Sequence, residues 1–93
     1  MGSLKASQVL EFYWDFSCPY SRLSFDFVTS QVFTYAQETY PDEIAIVFCH
    51  QVQPWHPQST LLHESAIAVH RLAPHKFFDF SRLLFAHQSE YDT

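Results

Sequence analysis

Apolar and polar positions divide the chain into five blocks. Residues Gln8 to Phe16, QVLEFYWDF, are β-branched and aromatic, with polar side chains only at Gln8, Glu11 and Asp15. The run is too short for a buried helix and predicts a strand buried on both faces. After Pro19 the period changes. Leu23, Phe27, Val28, Val32, Tyr35 and Ala36 recur at three- and four-residue spacings, with Arg22, Asp26, Gln31 and Glu38 between them. That pattern predicts an amphipathic helix of about 20 residues, which Tyr40-Pro41-Asp42 brings to an end. Glu43 to Val52, EIAIVFCHQV, predicts a second strand. A loop broken by Pro54 and Pro57 follows, and Ser59 or Thr60 suits the cap of the next helix. Leu61, Leu62, Ala66, Ile67, Val69 and Leu72 make that helix amphipathic. Pro74 breaks it, and a last helix gathers Phe77, Phe80, Leu84 and Phe85 on one face. The order is β–α–β–α–α, and a helical crossover between two strands predicts that they run parallel.

Composition narrows the class. Ninety-three residues make one domain at most. A 47% apolar and 18% aromatic share, with ten Phe, supplies a core and excludes a disordered segment. A single Gly leaves few turns that need positive φ. Ten acidic against five basic residues give a net charge of −5, which argues against nucleic-acid and membrane-surface partners. No apolar run approaches the ~20 residues of a membrane span. The opening MGSLKASQ lacks the apolar stretch of a secretory signal, and Ala6 stands where a myristoylation site wants Ser or Thr. Two distant cysteines fit a reducing compartment, so a cytoplasmic location is expected.

The chemistry gathers at Cys18-Pro19-Tyr20-Ser21, between the first strand and the long helix. The first amides of a helix are unpaired and the dipole places partial positive charge there, so a thiolate at Cys18 is favoured. Pro19 restrains the turn, Tyr20 offers a flat surface beside the sulfur, and Ser21 can donate to the thiolate. A Ser in place of a second Cys cannot resolve a mixed disulfide. The intermediate must wait for an external thiol such as glutathione, so the motif predicts monothiol chemistry.

FYWDFSCPYS followed by a long helix resembles the DsbA-like branch of the thioredoxin fold. The segment AIAVHRLAPHKFFDFSRLLFAHQSEYDT, Ala66 to Thr93, is similar to the helical insertion of that branch, and QVQPWHPQST fits the connection leading to it. The resemblance covers the chain from about Val9 onward. It implies an α/β, thioredoxin-like domain that is incomplete over 1–93. A β–α–β unit would span 8–58 and a helical insertion 59–93, with the last strands and the cis-proline loop missing. It implies Cys18 as nucleophile with Ser21 beside it, Pro19 and Tyr20 against the substrate, and glutathione or protein disulfides and thiols as partners, without a bound cofactor. Kappa-class glutathione transferases and chromene-carboxylate isomerases carry S-P-Y-S at this junction, their first Ser aligned with Cys18. A transferase of that kind is the alternative, and a non-catalytic remnant the third reading. The missing strand would leave the first strand's edge open, a route to a dimer, and poor activity for the chain alone is expected.

Six His raise the question of a metal. His50 and His56 flank Trp55, while His63 and His70 lie seven apart on one helix. No C-x-x-C or H-E-x-x-H pattern is present, so no metal site is expected and the helix histidines are expected to be solvated. Cys49 is expected to pack as a small hydrophobe, apart from Cys18. Trp14 is expected in the core. Trp55, between Pro54 and Pro57, is expected either to shape the mouth of a substrate pocket or to cap the core. Asp42-Glu43 reads as a solvated turn.

Overall fold

A computed structural model describes residues 1–90. Strands β1 (Gln8–Trp14) and β2 (Ile44–His50) form a two-stranded parallel sheet, Gln8 opposite Ile44 and Trp14 opposite His50. Helix α1 (Pro19–Phe27), a π-helical segment (Val28–Val32) and α2 (Phe33–Thr39) join them. Helix α3 (Ser59–Leu72), a 3₁₀ turn (Pro74–Lys76), α4 (Phe77–Ala86) and a second 3₁₀ turn (Gln88–Glu90) complete a small α/β domain. The parallel strands and the element order are those the sequence predicts. The end of the 59–93 segment lies outside the described residues.

Side chains alternate across a strand. Phe12, Trp14, Ile46 and Phe48 share one face, and the aromatic partners of Trp14 and Phe48 on helices come from α1, α3 and α4. Val9, Tyr13 and Val47 point the other way and are 54%, 63% and 41% exposed. A first strand buried on both faces is therefore not what forms. Helices shield one face, leaving the period-2 partners of the core in contact with solvent.

The core is an aromatic cluster. Phe16, Phe25 and Phe85 are fully buried, with ring centroids 5.0 Å apart for Phe16–Phe85 and 4.9 Å for Phe25–Phe85. Burying each ring contributes roughly 2–3 kcal/mol. Trp14 joins them edge-on to Phe25, and its indole Nε1 donates to Ser24 Oγ at 3.1 Å, so the polar atom is satisfied as the ring is buried.

The long helix is not uniform. Thr29 Oγ1 donates to Phe25 O and Thr34 Oγ1 to Ser30 O, each at 2.7 Å and each with one end inside the widened π turn. Hydroxyls that bond back to the preceding turn compete with the regular ladder and favour such irregularity. Pro74 stops α3 by removing a donor and forcing Ala73 out of helical geometry, to φ −150 and ψ 76.

Both strands are shorter than their apolar runs. Strand β1 ends at Trp14 because Asp15 starts a turn: its carbonyl accepts from Cys18 N at 3.0 Å and its Oδ1 from Ser17 N at 3.2 Å. At the other end, Met1 borders β2 on the edge away from β1, exchanging both backbone hydrogen bonds with Ile46 at 2.8 Å. Gly2 makes this approach possible. Its φ is +101, and a Cβ would stand 2.9 Å from Ile44 O. The outer edge of β1 has no partner strand among the described residues. No helix among these residues is long and apolar enough to cross a membrane.

Candidate functional site

Cys18 occupies the N-cap position of α1, extended at φ −90 and ψ 121, with Pro19 at the first helical position. Proline suits that place because its missing N–H has no partner there. Cys18 O accepts from Arg22 N at 3.1 Å, the first bond of the helix. The thiol thus lies where the unpaired amides of the first turn begin. Cys18 is only 9% exposed, whereas Tyr20 beside it is 81% exposed.

Ser21 is engaged differently from expectation. Its Oγ accepts from Asp15 N at 3.1 Å, tying the first turn of α1 back to the end of β1, and it makes no hydrogen bond to Cys18 among the described residues. Trp55 does not cap the core. It is 67% exposed, its ring 6.0 Å from that of His56. Cys49 is half-buried rather than packed in hydrocarbon. Register puts it on the open face of the sheet, where its Sγ lies 3.7 Å from Glu11 Oε2 as a donor. Burial and then the Glu11 charge push its thiol up. Both cysteines are free.

Asp15, three residues before Cys18, organises the surroundings. It is 2% exposed and gathers donors from three parts of the chain. Oδ1 accepts from Ser17 N and from Ser59 Oγ; Oδ2 accepts from Gln53 N at 3.1 Å and His56 Nδ1 at 2.9 Å. A carboxylate cannot donate, so His56 carries its proton on Nδ1. Burial alone would raise the Asp15 carboxyl. The bonds from Ser59, Gln53, His56 and Ser17 outweigh it and hold the group below the usual carboxylate range. Ser59, expected as a cap, instead lies inside α3. Gln58 takes the N-cap position, and the buried Ser59 hydroxyl serves Asp15 and bonds to Ser17 Oγ at 2.7 Å.

His63, expected to be solvated, is 4% exposed. Its Nε2 accepts from Phe16 N at 3.4 Å and lies 3.7 Å from Asp15 Oδ1, while Nδ1 is 2.6 Å from His50 Nδ1. With Nε2 accepting, Nδ1 is the protonated nitrogen and donates to His50, which leaves the His50 proton on Nε2. Burial lowers the His63 imidazole, and the nearby Asp15 charge restores only part of that. Burial, then His63 and His70, pushes His50 down to about 4. Two hydrogen-bonded pairs, Asp15 with His56 and His63 with His50, therefore lie side by side in a polar layer at the carboxyl ends of both strands, under the turn that carries Cys18.

The spacing of Cys18, Pro19 and Tyr20 showed the motif, but sequence reasoning missed this layer. Its signal was available: Ser59, His63 and Ala66 fall four and three apart, on one buried stripe of α3. Among the described residues no three His, Cys, Asp or Glu side chains converge to hold a metal ion. Compared with known protein families, with curated proteins and with solved structures, the chain matches none.

Proposed function

We propose that this protein is a thioredoxin-like, DsbA-type thiol–disulfide oxidoreductase of monothiol kind, working through Cys18 with glutathione. The position of Cys18 carries the reading: an extended N-cap residue ahead of Pro19, at the carboxyl end of a parallel strand. The Cys18 thiolate attacks one sulfur of a disulfide, forming a mixed disulfide and releasing the other sulfur as a thiolate. A glutathione thiolate then attacks the partner's sulfur in that bond, returning Cys18 as thiolate and leaving with the partner as a new disulfide. Ser21 has no role as a resolving group, and its hydroxyl holds the helix start to Asp15. The small exposure of Cys18 favours a compact substrate over a folded protein, such as the mixed disulfide of glutathione with a small thiol, which the cycle converts to the free thiol and glutathione disulfide. A cytoplasmic glutathione pool supplies the reducing thiol.

The test is incubation of the full chain with glutathione disulfide, followed by mass spectrometry. One glutathione per chain on Cys18, removed by added glutathione and absent in Cys18→Ser, is expected, with Cys49→Ser behaving as wild type. An unmodified Cys18, or modification of Cys49 alone, would overturn the reading. Conjugation of glutathione to 1-chloro-2,4-dinitrobenzene that is lost in Cys18→Ser would transfer the assignment to the kappa-class alternative.

A further inference from the structure

A cavity of about 730 Å³ opens between β2, the N-terminal segment, α3 and the start of α4. That volume is in the range of small-molecule sites. Its lining does not include Cys18, Ser21, Tyr20 or any residue of the Asp15 layer other than His50. Ile46, Phe48, Ile67 and Phe77 make its walls apolar, and its ionisable side chains are His50, His70 and His75. No Asp or Glu lines it, although the chain carries ten acids and a net charge of −5. Phe77 is flanked edge-on by two of the imidazoles, with ring centroids 5.7 Å from His50 and 5.5 Å from His70.

The hydrogen-bond chain behind the cavity sets what it can offer. Because His63 donates to His50 Nδ1, the His50 proton sits on Nε2, and that nitrogen makes no hydrogen bond among the described residues. The site thus combines an apolar body, an unused N–H donor and a local excess of groups able to carry positive charge. From this arrangement we infer that the cavity binds a small apolar monocarboxylate, an alkyl or aryl acid, with its chain against Ile46, Ile67 and Phe77 and its carboxylate accepting from His50 Nε2 within the imidazole group. An apolar ammonium ion would meet the His50 Nε2–H donor and no acceptor carboxylate. An alcohol would lose the charge-assisted share of the hydrogen bond.

Isothermal titration of the full chain with octanoate, octan-1-ol and octylammonium at pH 7 tests this. Octanoate is expected to bind with a dissociation constant below about 1 mM and at least roughly fivefold more tightly than either analogue. Ile67→Glu places a like charge in the cavity at a position already 39% exposed; lost apolar contact weakens both ligands, and repulsion is expected to weaken octanoate at least about tenfold more than octan-1-ol. His70→Gln removes one imidazole and is expected to weaken octanoate several-fold, which keeps the test decisive if the Glu variant fails to fold. No saturable octanoate binding, equal binding of the three headgroups, or octanoate binding indifferent to both variants overturns the inference. Neither Cys18 nor glutathione enters this experiment, so its result is independent of the redox reading.

Discussion

Replacing Asp15 by asparagine exchanges one carboxylate oxygen for an amide nitrogen and leaves the shape unchanged. In the wild type, Oδ1 accepts from Ser59 and Ser17, and Oδ2 from Gln53 N and His56 Nδ1. The asparagine oxygen can keep one pair of donors. Its NH₂ then faces the other pair. If that pair is Gln53 N–H and His56, the imidazole can move its proton to Nε2 and accept, but the Gln53 amide has no such freedom. A donor left unpaired there costs about 1–3 kcal/mol, and losing the charge assistance on the retained bonds costs roughly 1 more. The sum, about 2–4 kcal/mol, is a large part of the ~5–15 kcal/mol that holds a domain together. Urea unfolding at pH 7, followed by tryptophan fluorescence, measures it, because Trp14 is 2% exposed and must report the loss of the core. The midpoint should fall by roughly 1–3 M. Asp79→Asn is the control: Asp79 and Arg82 form an exposed pair at 3.2 Å, and its loss should shift stability by under about 1 kcal/mol. If Asp15→Asn unfolds with the midpoint of that control, the carboxylate is not the organising centre described above.

Two further outcomes follow from the same bookkeeping of partners. His50 titrates near 4 in the folded chain and near 6.5 when unfolded, so the unfolded state binds the proton more tightly between these values. Stability is therefore unaffected above about pH 6.5 and is lost as pH falls toward 4. His63 acts in the same direction. With solvent screening of the exposed part of His50, the loss between pH 7 and 5 should be roughly 1–2 kcal/mol, read as urea midpoints at the two pH values. A midpoint that does not move would refute the burial argument for the histidines. Ser81 is fully buried and its Oγ has no partner among the described residues. Ser81→Ala should then stabilise by about 1 kcal/mol and raise Tm by ~4–8 °C in calorimetry, and a fall in Tm would show that the hydroxyl is satisfied.

How much of this was legible depended on the range of the interaction. The strands and helices follow from local periodicity, and Pro19 and Pro74 mark breaks for reasons internal to proline. The parallel pairing follows from the length of the connection. The exposed face holding Val9, Tyr13, Val47 and Cys49 was not legible, because an apolar strand does not state how many faces its neighbours cover. Its aromatic content instead suggested burial on both. The Asp15 layer was hidden for a second reason. Its partners Gln53, His56 and Ser59 are 38 to 44 residues away, and no local pattern aligns them. Within α3 the periodicity did carry the information, since His63 falls on the stripe of Ser59 and Ala66, but the polar identity of His63 argued for solvent. The N-terminal border of β2 had one trace, the chain's single glycine.

That same separation has a consequence for the order of events during folding. The Asp15 side chain can find its Ser17 donor as soon as the turn after β1 forms, whereas the others come only once β2 and the start of α3 have closed loops of about 40 residues, against an entropy that grows with loop length. Until then the carboxylate must stay hydrated. The clasp therefore closes late, and interactions completed after the rate-limiting step slow escape from the native state more than they hasten arrival.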